Sequence, residues 1–226
     1  MIRAAILATF AAGCAAQTGF GRAETLRPGH AAVGGGVELE TILINNRVGA
    51  PPIPLPWLVF TAGYRRGVSD RLEAGTRVFG FTLPRIGLSS YGLALDGKYQ
   101  LRRRTGGAWD VAVGTSVEYH QVALGTPWHL VTVTVPVLFG REAGDDAFVF
   151  GPRVGYTAWM GSGQNTIDLL LFGGSIGIDF KTGRRFRLCP ELVALYSPIS
   201  FNGEVTRAEK FGATTVNIGV SGMYDF

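Results

Sequence analysis

The chain reads as all-β, a closed antiparallel up-and-down barrel of about ten strands, and three observations say so. Apolar residues recur at every second position along most of the 226 residues. The alternating runs are long, and the breaks between them are short and tidy at one step, longer and irregular at the next. A period of two puts successive side chains on opposite faces of a strand, whereas a helix needs a period near 3.6.

The expected strands are 31–45, 57–67, 72–82, 91–103, 108–122, 129–141, 147–160, 168–181, 186–198 and 211–226. In 91–102 one face carries Tyr91, Leu93, Leu95, Tyr99 and Leu101, and the other carries Ala94, Asp96, Lys98, Gln100 and Arg102. In 109–120, Trp109, Val111, Val113, Val117 and Tyr119 oppose Asp110, Ser116, Glu118 and His120. In 131–139, Val131, Val133, Val135, Val137 and Phe139 oppose Thr132 and Thr134. Most runs are 11 to 16 residues, against roughly 5–6 in globular proteins, and a tilted membrane strand needs about 9–11 in hydrocarbon alone. The count of ten stays open to eight or twelve. Pro136, Pro152 and Pro190 fall inside strands and call for bulges or protected positions.

Ser69-Asp70, Thr105-Gly106-Gly107, Ala143-Gly144-Asp145-Asp146 and Thr182-Gly183-Arg184 supply the short turns. The longer loops are 46–56, 83–90, 123–128, 161–167 and 199–210. Short turns at one end and longer loops at the other is a membrane-barrel pattern, and an even strand count would put both termini on the periplasmic side.

Composition narrows the solvent. Glycine numbers 33, charged residues are 17% and mean hydropathy is +0.21. No stretch of about 18 apolar residues offers a spanning helix, so a chain this apolar is a buried-sheet protein or a membrane barrel. The polar face mixes Gly, Ala, Ser and Thr with Glu38, Glu40, Arg65, Glu73, Arg77, Asp96, Lys98, Asp110, Glu118, Arg153, Asp179, Lys181, Arg187 and Glu191. Small residues leave room for long charged ones in a narrow lumen, where opposite charges pair. On the apolar face Tyr91 and Tyr99, Trp109 and Tyr119, Phe148 and Tyr156, and Phe186 and Tyr196 stand 8 to 10 residues apart. At a tilt near 40–45° that is roughly 19–25 Å along the membrane normal, close to the spacing of aromatic girdles. Arg65, Arg66, Arg71, Arg102, Arg103, Arg104, Arg141, Lys181, Arg184 and Arg185 gather at the short-turn end, where anionic headgroups would attract them.

The final stretch alternates Ile218, Val220, Gly222, Tyr224 and Phe226. It resembles the terminal signal strand of bacterial outer-membrane β-barrel proteins, which ends in an aromatic residue. The resemblance covers architecture along 31–226 and singles out no subfamily. It implies a cell outer-membrane location, lipid contacts, and recognition of Ile218, Val220, Tyr224 and Phe226 by the barrel assembly machinery. Residues 1–16 read as an export signal, with Arg3 before the apolar run Ala4–Ala12. Ala11-Ala12-Gly13-Cys14 resembles the lipobox of bacterial lipoproteins, so Cys14 is a lipidation candidate, with ordinary cleavage after Ala16 or Ala23 the alternative. Residues 17–30 would form a periplasmic N-terminal segment. Two cysteines, Cys14 and Cys189, make no disulfide framework.

Chemistry is sparse. Net charge is +4, but no basic run is interleaved with aromatics, so no nucleic-acid partner is expected. No cofactor or metal motif appears; His120 and His129 flank one loop without a carboxylate or cysteine at metal spacing between them. Some barrel enzymes, the omptin proteases and lipid A deacylases, work at the outer rim. Glu118, His120 and Asp168 are the catalytic candidates if these three side chains meet there. Three functions follow: a non-enzymatic anchor, scaffold or narrow pore; a rim hydrolase; or a secreted lipocalin-like barrel with its apolar face inside. Loops 46–56, with Pro51, Pro52, Ile53, Pro54, Leu55 and Trp57, and 199–210 are candidate partner surfaces.

Overall fold

The structure, a computed structural model, describes residues 22–45, 55–83, 88–103, 109–124, 126–160, 166–202, 205–209 and 212–226. Its strands are β1 (Ala31–Asn45), β2 (Leu55–Gly67), β3 (Leu72–Leu83), β4 (Leu88–Arg102), β5 (Asp110–Leu124), β6 (Thr126–Ala143), β7 (Asp146–Met160), β8 (Thr166–Lys181), β9 (Phe186–Asn202), β10 (Val205–Glu209) and β11 (Gly212–Asp225). Each strand from β1 to β9 pairs antiparallel with the next; β9 pairs with β11, and β11 with β1. Ten strands therefore close into a barrel, and β10 only extends the end of β9 as a short hairpin. At the seam Ala31 N–H donates to Phe226 O at 2.9 Å, and Phe226 N–H returns the bond to Ala31 O at 2.8 Å.

Closure pairs each of the ten barrel strands on both sides along the described residues, and hydrocarbon would not tolerate an open edge there. The side chains obey the period of two with an inverted sense. Phe60 is 62% exposed and Leu95 61%, whereas Arg153 is 1% and Glu118 2% exposed. On β6, Val131 through Val137 take the outer face at odd positions, and Thr132, Thr134 and Leu138 are buried inside. The secreted barrel with an apolar interior is thereby overturned: no water-soluble exterior carries this face.

Aromatic rings mark both ends of the exterior. Trp109 meets Phe150 edge-on at 5.4 Å, Phe150 stacks on Phe139 at 5.3 Å, and the Arg141 guanidinium lies over Trp109 at 5.6 Å, all at the short-turn end. At the opposite end the Tyr119 and His129 rings stack at 5.9 Å, with Tyr119 Oη 2.7 Å from His129 Nδ1.

Several expectations need correction. The loop expected at 123–128 contracts, because β5 and β6 stay paired to Leu124↔Thr126. The stretch 199–210 is mostly strand, the end of β9 plus β10. Of the two alternatives for the prolines, bulges are not used at Pro136 and Pro152: β6 and β7 keep one register through Pro136↔Arg153, and Pro152 pairs with Gly174. Register instead shifts at Gln100/Arg102, Leu170/Phe172 and within β10. The lumen also holds an apolar wall of Leu130, Leu138, Leu169, Leu171, Val193 and Leu195.

Residues 22–30 do not trail away from the barrel. Arg27-Pro28-Gly29-His30 makes a turn, with His30 N–H donating to Arg27 O at 3.0 Å and Gly29 at φ 81°. Proline at the second position and a positive φ at the third define a type II turn, which glycine adopts without strain. The turn folds residues 22–26 back into the mouth, where Ala23 packs with Leu138 and Val149.

Candidate functional site in the barrel lumen

Arg77 on β3 points into the lumen and ties three strands together. Its Nε and Nη2 donate to the two carboxylate oxygens of Asp96 on β4 at 2.7 and 3.0 Å. Nη2 also reaches Ser116 Oγ at 3.0 Å and Glu118 Oε1 at 2.9 Å on β5. The planar fork of arginine suits such bidentate pairing, and every ion here is enclosed. Charges like these persist inside a barrel only when paired, since desolvation alone costs several kcal/mol per ion.

One layer nearer the short turns, Glu73 Oε2 stands 3.2 Å from Lys98 Nζ, and Glu73 Oε1 3.5 Å from Arg65 Nη1. This layer grips the N-terminal segment. Lys98 Nζ donates to Arg22 O at 3.2 Å and Glu24 O at 3.0 Å, so its three protons all find acceptors. Leu26 N–H donates to Glu73 Oε2 at 2.8 Å, and Thr25 N–H to Gln100 Oε1 at 2.7 Å. Gln100 Nε2 in turn donates to Arg102 O and Asp110 Oδ1.

On the other wall Arg153 binds Glu191 and donates to Ser175 Oγ at 3.1 Å. Arg187 Nη1 donates to Asp179 Oδ2 at 2.7 Å, and its Nε lies 3.5 Å from Asp225 Oδ2. The Cys189 thiol is buried 3.5 Å from Asp179 Oδ1. Two cavities of about 40 Å³ remain among these groups. One is lined by Arg65, Arg77, Gly34, Gly63 and Ser221, the other by Arg22, Asp110, Asp145, Asp179 and Arg187. Each has room for roughly three waters at about 10–15 Å³ apiece.

Glu38, Glu40, Arg65, Glu73, Arg77, Asp96, Lys98, Asp110, Glu118, Arg153 and Asp179 are buried, and Arg187 and Glu191 are half-buried. Lys181, expected among them, sits on the rim, its Nζ 3.4 Å from exposed Asp145. It ends β8, beyond the enclosed part of the wall. Glu118 and His120 do come together: two residues apart on β5, they share its inner face, with His120 Nε2 3.5 Å from Glu118 Oε2. Asp168 does not join them. It shares the outer face of β8 with Leu170 and Phe172 and lies beside Tyr156, so the barrel wall separates it from the other two. Neither Glu118 nor His120 reaches the surface, both being at most 2% exposed. Cys14 and residues 46–54 lie outside the described residues. Ile218, Val220, Tyr224 and Phe226 are exposed on the outer face of the barrel.

Sequence reasoning placed Gln100 and Ser116 on the polar face but gave them no role, and it did not single out Thr25 or Ser175; all four are neutral partners whose roles depend on strands far away in the chain. Inward parity was the available signal for Gln100, Ser116 and Ser175.

No family model and no curated protein sequence matches the chain. Solved structures do. The outer membrane protease OmpT from Escherichia coli shares 6% identity at a TM-score of 0.52, covering 90% of this chain and 100% of its own. An outer membrane channel from Pseudomonas putida F1 shares 8% identity at 0.51, covering 93% and 100%. At such identities the likeness is one of fold. Taken with an exterior of exposed apolar side chains and a charged interior, it defines an outer-membrane β-barrel. The protein resides in the cell outer membrane, in contact with its lipids.

Proposed function

We propose that the protein is a non-enzymatic outer-membrane barrel that acts as an anchor or scaffold, with a lumen too full to pass solutes freely. One observation carries this reading: Arg77 cross-links β3, β4 and β5 through Asp96, Ser116 and Glu118, while Lys98, Glu73 and Gln100 hold residues 22–26 in the mouth. Eight strands leave an interior just filled by side chains and sixteen or more leave a channel, so ten strands with these groups leave gaps of a few waters. A rim hydrolase is disfavoured by Asp168 facing outward and by the enclosure of Glu118 and His120. In this reading the short turns and the N-terminal segment face the periplasm. Residues 1–16 direct export, Cys14 is the candidate for acylation, and β11 with Ile218, Val220, Tyr224 and Phe226 is the handle for the assembly machinery. Partners would bind the opposite end, through 46–56 and 199–210.

Conductance of the purified protein in planar bilayers tests the reading. The expected record is a silent membrane or small, brief steps. A steady large conductance would replace the scaffold with a pore.

A further inference from the structure

His120 is 0% exposed, and neither ring nitrogen has a hydrogen-bond partner. Glu118 Oε2 also lacks one, although the other oxygen of that carboxylate is held by Arg77 and Ser116. A fourth buried polar atom without a partner, Ser90 Oγ, lies on the inner face of β4, where Gly92 pairs with His120 and Ser90 with Val122. Buried polar groups of a folded chain nearly always find partners, so four such atoms from three residues on two adjacent strands mark a place for something else.

The spacing says what fits. His120 Nε2 and Glu118 Oε2 are 3.5 Å apart, too long for a good hydrogen bond. Two donors bound to one tetrahedral Zn²⁺, each about 2.0–2.2 Å from the ion, stand roughly 3.3–3.5 Å from each other. Imidazole with carboxylate is a donor set for Zn²⁺ and similar divalent transition metals. The ring is oriented by packing: Phe79 lies against it with centroids 4.4 Å apart. A Cβ at Gly92 would fall 2.5 Å from Phe79, so the bare glycine opposite His120 keeps room for that arrangement. Arg77, the nearest cation, is already matched by the bidentate Asp96 carboxylate, which limits its repulsion of a metal.

We propose that His120 Nε2 and Glu118 Oε2 bind a divalent transition metal ion inside the barrel, with Ser90 or water completing its shell. Among the described residues no third His, Cys, Asp or Glu joins them, so these two side chains are the protein's charged or imidazole donors to the ion. Neutral imidazole and ionised carboxylate are the binding forms, so loading releases any proton the pair holds and needs no further reactant.

The test titrates the untagged full chain, folded in detergent micelles, with Co²⁺, whose visible absorption reports the ligands, and then displaces it with Zn²⁺. The expected result is one Co²⁺ per chain, weakened at least ten-fold by His120→Phe and by Glu118→Gln, and unchanged by His129→Ala or His30→Ala. Heat-dependent gel mobility identifies the folded form of each variant. If Glu118→Gln fails to fold, His120→Phe decides, because phenylalanine keeps the packing on Phe79 and removes the donor. A folded wild type that takes up no Co²⁺, or a folded His120→Phe that binds it as tightly, overturns the site.

Discussion

Glu73 and Lys98 face each other across β3 and β4 at 3.2 Å, and both reach past one another to the backbone of residues 22–26. The pair is thus a latch as well as an ion bridge: its carboxylate accepts from Leu26 N–H and its ammonium caps two carbonyls. Lys98→Met should free the segment, since buried acceptors left without a donor cost about 1–3 kcal/mol each. The expected outcome is trypsin cleavage at Arg22 or Arg27 roughly ten-fold faster or more, with the barrel still folded. Unchanged cleavage would mean that Thr25 and Leu26 suffice to hold the segment.

Arg77 presents a harsher case. Removing it strands the Asp96 and Glu118 carboxylates inside the wall, and breaking a buried pair costs about 3–5 kcal/mol. Arg77→Ala should shift urea unfolding in detergent by that much, and any variant that folds should conduct more than wild type. A shift under about 1 kcal/mol would show that the network is hydrated and weak.

The exterior makes an opposite demand. Leu95 sits midway along β4 and is among the most exposed side chains. Leu95→Arg should cost roughly 2–4 kcal/mol in a bilayer, the value for a cation at the midplane of a barrel's lipid face. On a water-facing strand the same change would be close to neutral, so folding equilibrium in lipid vesicles separates the two.

Gly173, beside the register shift of β8, has no room for a side chain: a Cβ would lie 1.9 Å from Ala194 O on β9. Backbone must move to admit even a methyl group. Gly173→Ala should therefore lose about 1–3 kcal/mol or fail to reach the folded gel mobility.

Period two was enough to place ten strands and to sort most side chains, because one face repeats Val, Leu and aromatics while the other repeats ions and small residues. Glu118 and His120 could be paired from sequence since positions two apart on a strand share a face. Asp168 could not be assigned the same way. It lies at the loop end of β8, where too few alternating neighbours precede it to set the parity. The fold of 22–30 was illegible for a different reason: Ala23, Thr25 and Leu26 carry no period, and what holds them is Leu138 and Val149 against Ala23, Gln100 at Thr25 and Glu73 at Leu26, more than 45 positions away. Strand β10 escaped because its pairing with β9 is short and shifted.

The mutual bonds between Ala31 and Phe226 have a kinetic meaning. Their partners lie at opposite ends of the strand sequence, so the ring shuts only after nearly every other hairpin exists, and contacts of such long range form slowly. Until then two raw margins stand open, each able to capture a stray strand from a neighbouring molecule. Aggregation of this protein should accordingly be a hazard of the interval before closure, and its yield on refolding should fall steeply with chain concentration.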